Sequence, residues 1–397
     1  MTPLYQLRPA ADSSPAFFAT GFRPFFLGAG LFATAFLPLW LWAYTRGAEV
    51  SSYYGGYLWH GHEMLFGYCV AVVAGFLLTA VKNWTGLPTA HGRGLAALFS
   101  VWLLGRLLPL YPGTPPIVCA AVDLAFLPAL ALVLARPIFR ARKARNFFVA
   151  PLLLLMTAAN ALVHADRLGF AAERALDGLW LMFDLVALLI AVIGGRVIAF
   201  FTERAVVGAD IKRRPLFEMP SVIAVALVML ARPLDIGSVP MALLLSVAAL
   251  LNGLRLFTWH TPGLWRVPLL WVLHTGYFWL VVSLGMQAYG QWTAAVWPTL
   301  TLHAGTVGAI GVLTLGMMAR VALGHTGRAL KAPRLVVFAF GLVNLAALVR
   351  VVLPMTAPQY YTALVIAAGS LWTAAFMFFT WRYTSILTAP RVDGAPG

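Results

Sequence analysis

Twelve apolar runs, each close to the length of a bilayer-spanning helix, follow one another along the chain with short connections between them. About 20 apolar residues cross the hydrocarbon core as an α-helix. In lipid, only a helix or a closed barrel satisfies its own backbone. The runs lie at about 25–45, 57–81, 94–111, 116–135, 147–165, 177–202, 217–235, 239–258, 268–290, 297–321, 335–354 and 359–381. The apolar–polar alternation of a membrane β-barrel is absent. Of the 397 residues, 61% are hydrophobic and 10% charged, against roughly 25% charged in a soluble domain. That balance excludes a soluble globular enzyme, a disordered tail protein and a secreted disulfide scaffold. The sequence predicts an all-α polytopic transmembrane bundle of about 12 helices. One integral membrane domain is expected over 16–384, with short tails at 1–15 and 385–397.

The net charge of +15 does not point to nucleic acid, because the basic residues alternate with the spans. The 136–145 connection holds Arg136, Arg140, Arg142, Lys143 and Arg145, and the 203–216 connection holds Arg204, Lys212, Arg213 and Arg214. The 320–334 connection holds Arg320, Arg328, Lys331 and Arg334, whereas Tyr111–Pro116 and Gly290–Trp297 hold no Lys or Arg. Of the 28 basic residues, 21 fall on one face, 5 on the other and 2 within helices. By the positive-inside rule both termini are cytoplasmic. The N-terminus lacks the pattern of a removable signal peptide. Cys69 and Cys119 lie in separate apolar runs and form no CxxCH motif, so any haem would be held without a covalent link.

Ionisable groups are costly in a bilayer, so each one inside a span is a functional candidate. At a rise of about 1.5 Å per residue, two layers emerge. His62, His303, Asp123, Asp184 and Arg106 fall roughly 7–12 Å inside the outer boundary, flanked by His60 and Glu63. His274 lies about 9 Å in from the cytoplasm, with Arg196, Glu203 and His325 at or near the inner boundary. The competing reading is a charge network in which Arg106 pairs with Asp123 or Asp184 and ties helices together.

Trp59-His60-Gly61-His62-Glu63-Met64 is the densest spot. Helix positions two apart point about 200° away from each other, so His60 and His62 suit separate tasks: one on a haem iron, the other on a second metal or a hydrogen-bond partner. Glu63, three residues after His60, is expected on the His60 face, orienting that imidazole or relaying protons. Phe66 stands where HExxH would need its second histidine, which removes a zincin reading. His303 opens a helix carrying Gly305, Gly308, Gly311 and Gly316, read either as close helix packing or as room for a flat macrocycle. His60, His62 and His303 are expected in one outer cavity. His274 and His325 are expected in a separate inner cofactor site, with Tyr277 on the His274 face to donate a hydrogen bond. His303 and His325 are too far apart, about 33 Å along a helix, to share one iron. His91 and His260 read as solvated, and His164, with Asn160, as a weaker site candidate. One internal echo is visible: His62 precedes Thr85-Gly86 and Arg93 by the same spacings that separate His303 from Thr326-Gly327 and Arg334.

These positions fall in blocks that resemble the NnrS family of membrane proteins. The blocks are Gly21-Phe22-Arg23-Pro24-Phe25-Phe26, the His60/His62 stretch through Gly67, Asn83-Trp84-Thr85-Gly86, and Gly105-Arg106. Further blocks are Asp123 with Phe126-Leu127-Pro128, Gly194-Gly195-Arg196-Val197-Ile198, and Leu273-His274-Thr275-Gly276-Tyr277. The last are His303 with Gly305-Thr306-Val307-Gly308, and Arg320 through Arg328. Ala199 departs from the proline expected there in many members.

The resemblance implies a multi-pass protein of the bacterial inner membrane that carries haem b, in one or two copies, and copper, and that handles nitric oxide. Electrons would come from a quinol or a small redox protein. On that view His60, His62, His274, His303 and His325 are the ligands, and Arg106, Arg196 and Tyr277 meet the cofactor's polar edge. Glu63, Asp123 and Asp184 would deliver protons for reduction of nitric oxide. Two other readings compete: a haem or copper protein that protects without turnover, and a twelve-helix transporter.

Overall fold

The computed structural model describes residues 16–211, 213–295 and 297–395. Among these residues there is no strand, and 12 helices are long and apolar enough to cross a membrane. They are α1 (Phe22–Arg46), α2 (Gly56–Thr85), α3 (Gly92–Leu110), α4 (Pro116–Arg140), α5 (Ala144–Arg167) and α6 (Ala175–Ala205). The second half comprises α7 (Pro215–Leu234), α8 (Ser238–Thr258), α9 (Pro268–Thr293), α10 (Pro298–His325), α11 (Arg334–Thr356) and α12 (Pro358–Thr388). The expected all-α polytopic bundle is what the chain forms. The helices outrun their apolar cores at several ends, because a helix continues into the interfacial layer for as long as no breaker stops it.

The breakers are where the physics puts them. Proline opens α4, α7, α9 and α10 at the first turn, where its missing N–H would lack a partner anyway. Gly47 and Gly86 take positive φ (62° and 72°) and close α1 and α2, as a left-handed C-cap needs.

Two helices occupy the centre. The most apolar windows of α2 and α10 are 83% and 78% buried, against 28% for α7. Both widen into a π-helix just after a histidine: Glu63–Cys69 follows His62, and Ala304–Gly311 follows His303. The echo between these stretches in the sequence therefore has a counterpart in backbone shape. A widened turn leaves carbonyls poorly satisfied, and side chains answer them. Trp102 Nε1 donates to the Gly67 carbonyl at 2.9 Å. Thr314 Oγ1 donates to the Ile310 carbonyl at 2.6 Å and lies 2.6 Å from the Tyr68 hydroxyl, which joins α10 to α2.

The glycines of α10 serve packing, not a macrocycle. A Cβ on Gly308 would stand 2.6 Å from the Trp279 indole, and Gly311 and Gly305 are filled by Trp372 and Phe183. At the end of the chain, α12 runs to Thr388, past the boundary expected near 384. The residues after it fold back: Val392 N–H donates to the Thr326 carbonyl at 3.2 Å, and Arg391 donates to the His325 carbonyl at 3.1 Å. The described part of the 385–397 segment is thus helix and docked strap. The 1–15 tail lies outside the described residues.

Candidate functional site

The His60/His62 pair divides two environments on opposite sides of α2. On one side is a cavity, partly open at its mouth and lined by α1, α2, α6, α10, α11 and α12. Ligand pockets are mostly apolar with a few converging polar groups. Here those groups are His60, His303, Arg350 and Trp372. The His60 ring stacks on Trp40 with centroids 4.0 Å apart, and its Nδ1 is buried without a partner. His303 Nδ1 sits 2.6 Å from the Thr299 carbonyl. A carbonyl only accepts, so that nitrogen carries the hydrogen and Nε2 keeps its lone pair. This is the arrangement by which a backbone carbonyl orients a metal-binding imidazole. Arg350 Nη2 donates to the Tyr361 hydroxyl at 3.1 Å, while its Nη1 and the Trp372 Nε1 are buried with no partner. Two imidazoles, a guanidinium and an indole N–H, set in apolar walls, suit a large apolar ligand that bears acid groups and a metal centre.

On the other side of α2 lies a polar cluster sealed inside the protein. His62 is fully buried; Glu63, Arg106, Asp123, Asn160 and His164 are each exposed by 5% or less. Arg106 Nη1 donates to Glu63 Oε1 at 3.0 Å, and its Nη2 pairs with Asp123 Oδ1. His62 Nδ1 stands 3.1 Å from Glu63 Oε1. Asp123 Oδ2 accepts from Asn160 Nδ2 at 2.8 Å and faces His164 Nε2 at 3.0 Å. Tyr54 and Tyr53, in the loop before α2, reach in with hydroxyls 3.2 Å from His62 Nε2 and 2.8 Å from His164 Nδ1. Burial pushes both phenols up from their ordinary range, so both keep their hydrogen. Gly67 makes room for the cluster: a Cβ there would lie 2.9 Å from Glu63 Oε2 and 3.1 Å from Arg106 Nη1.

Several expectations are redrawn by this geometry. His60 and His303 share a cavity, but His62 belongs to the polar cluster, as the opposed directions of neighbouring histidines require. Glu63 goes with His62 instead of His60: its Oε1 meets His62 Nδ1 and Arg106 Nη1. Arg106 is occupied by Glu63 and Asp123, the charge-network alternative. Asp184 joins neither site. Arg232 grips it with two hydrogen bonds, at 2.7 and 3.2 Å, and also donates to Gln287 at 2.9 Å.

The inner layer also separates. Arg196 donates to the Arg145 carbonyl at 3.0 Å and lies over the Phe148 ring. Tyr277 turns away from His274: its hydroxyl donates to Asn252 Oδ1 at 2.6 Å and accepts from Arg255 at 3.2 Å. Arg255 is itself clasped by Glu218. His274 Nδ1 donates to the Leu270 carbonyl at 3.1 Å, leaving a buried, unpartnered Nε2. The His325 ring packs beside Phe22 at 5.9 Å, under the C-terminal strap. The two imidazoles therefore address different neighbours.

Arg350, Trp40, Tyr53 and Tyr54 were not foreseen. Arg350 did leave a signal: it lies inside the apolar run 335–354 and has no acidic residue near it in sequence. Asn160 and His164, four apart on α5, share one helix face, and that spacing pointed at a joint role. No curated protein matches the chain. The family pattern described as NnrS protein matches residues 16–391, nearly the whole length, and the chain belongs to that family.

Proposed function

We propose that this multi-pass protein sits in a bacterial cytoplasmic membrane with both termini inside, binds haem b between His60 and His303, and uses it to reduce nitric oxide. The observation that carries the reading is the convergence of groups on one cavity: an imidazole oriented by a carbonyl, a second imidazole whose Nδ1 is buried without a partner, and a guanidinium whose Nη1 is likewise unpartnered. Bound haem would supply an iron centre for gas binding and one-electron chemistry. His303 offers Nε2 to it, held in place by Thr299. His60, its ring fixed against Trp40, offers a second nitrogen either to the iron or to a gas bound there. Arg350 suits a propionate by charge and planar fork, and Trp372 can donate one more hydrogen bond. Leu37, Leu41, Leu179 and Val365 keep the cavity dry and open it to an apolar gas that concentrates in lipid. Glu63 and Asp123, across α2 from the cavity, are carboxylates through which protons for a reductive step could pass. Electrons would arrive from a quinol or a small redox protein.

The test is a pyridine haemochrome spectrum of the purified protein together with electrode-measured nitric oxide consumption. Stoichiometric haem that is lost or spectrally altered in His60→Ala and His303→Ala, with turnover in wild type, supports the reading. Colourless protein, or haem unchanged in both variants, overturns it. Haem without turnover reduces the role to protection.

A further inference from the structure

His62, Asp123 and His164 come from three helices, α2, α4 and α5, and each turns one ligand atom toward the same point. His62 Nε2 and His164 Nε2 stand 3.2 and 3.0 Å from Asp123 Oδ2, and all three atoms lie within 4.8 Å of one another. Asn160 Oδ1 is 2.9 Å from His62 Nε2. With neutral imidazoles the hydrogens do not suffice for this arrangement. If His62 Nδ1–H donates to Glu63, then Nε2 presents a lone pair to two oxygens that also present lone pairs. If the hydrogen is moved to Nε2, Nδ1 confronts the Glu63 carboxylate instead. Turning the Asn160 amide over would set its oxygen against Asp123. Tyr54 can supply one hydroxyl hydrogen, which satisfies one of the converging acceptors. Charge is short as well: Glu63 and Asp123 carry two negative charges against one on Arg106.

We propose that this point binds one divalent first-row transition-metal ion, held by His62 Nε2, His164 Nε2 and Asp123 Oδ2, with Asn160 Oδ1 as a fourth donor. Ligands about 2.1 Å from a tetrahedral ion stand about 3.4 Å apart, so separations of 3.0 and 3.2 Å need only a small outward shift. The surrounding hydrogen bonds fit too. Each imidazole is oriented through its far nitrogen, His62 by the Glu63 carboxylate and His164 by the Tyr53 hydroxyl, as ligating histidines usually are. Two imidazoles and one carboxylate suit zinc, ferrous iron or cupric copper. The site lies across α2 from the His60/His303 cavity, draws no residue from it, and stands or falls independently of haem.

The test uses full-length protein in detergent, stripped with a chelator and titrated with zinc alone. One zinc per chain is expected, with an X-ray absorption spectrum of two imidazole nitrogens and oxygen. His164→Ala should abolish stoichiometric binding. Glu63→Gln should weaken it by about 10–100-fold, the usual effect of losing a partner of a ligating histidine. His60→Ala should leave it intact. No zinc at stoichiometry, a sulfur-containing or all-oxygen shell, or binding unchanged in a folded His164→Ala variant overturns the proposal. In those cases a second proton on His62 balances the cluster.

Discussion

Arg106 is the cation on which the polar cluster depends, and replacing it with methionine measures that dependence. The guanidinium is 4% exposed and joins α2, α3 and α4 through Glu63 and Asp123. In metal-free protein, Arg106→Met keeps the stem's apolar volume but leaves two carboxylates, 1% and 5% exposed, facing each other without a counter-charge. Removing one partner of a buried pair costs about 3–5 kcal/mol, since the remaining charge stays desolvated. That is roughly a hundred- to several-thousand-fold change in the folding equilibrium, at tenfold per 1.4 kcal/mol. Glu63→Gln is the contrast: it leaves Arg106 paired with Asp123 and should cost about 1 kcal/mol, one hydrogen bond's worth. The triple variant Arg106→Met/Glu63→Gln/Asp123→Asn removes every charge of the network and should recover most of the loss. Unfolding of the purified protein in mixed micelles with increasing denaturing detergent, followed by tryptophan fluorescence, reports all three. If Arg106→Met lies within about 0.5 kcal/mol of wild type, a size typical of surface substitutions, the cluster is not held by this cation. If the triple variant is worse than Arg106→Met, the reasoning from charge balance is wrong.

Four further outcomes follow from particular contacts. Gly308→Ala should destabilise by about 1–3 kcal/mol in the same unfolding assay, because its methyl would press on the Trp279 indole. Arg350→Ala should lower the haem retained through purification, and Arg350→Lys should restore it only in part, the ammonium lacking the planar fork. Hydrogen bonds from Arg391 hold the Asp393 carboxyl down at about 2, against an ordinary 3.8. A lowered carboxylate pKa contributes stability above the ordinary value and loses it as pH falls toward the folded one. Protection of the Val392 amide, its exchange rate relative to that of an unstructured amide at the same pH, should therefore hold at mild acidity and fall between about pH 4 and pH 2, as read by mass spectrometry. C-terminal reporter fusions should be active in the cytoplasm and silent in the periplasm, and the reverse pattern would contradict the charge-based orientation.

What the sequence made legible follows from which interactions are local. The twelve spans could be read because burying a backbone in lipid is a length problem that apolar runs solve alone. The separation of His60 from His62 could also be read, since two positions two apart on a helix cannot face the same way. Partner choice could not. Arg232 carried no signal of its own, yet it reaches Asp184 across 48 residues. Arg106 was given two possible carboxylates and took Asp123, the one 17 residues away. Tyr277 shares a face with His274, but the hydroxyl tip is drawn to Asn252 and Arg255 on α8. Each miss has the same physical origin. A polar group in lipid takes whichever partner the packing of other helices delivers, and nothing in its own helix names that partner.

The two π-helical stretches lie beside both sites. Glu63, at the start of the first, turns its carboxylate to His62 and Arg106 on the sealed side of α2. The matching turn after His303 lets Gly305 and Gly308 approach Phe183 and Trp279 closely. Thr299, one turn before it, still fixes the imidazole. Carbonyls loosened by the widening are recaptured by Trp102 on α3 and by Thr314, which Tyr68 of α2 meets. The two central helices thus place an apolar, open chamber and a charged, closed cluster within one helix diameter.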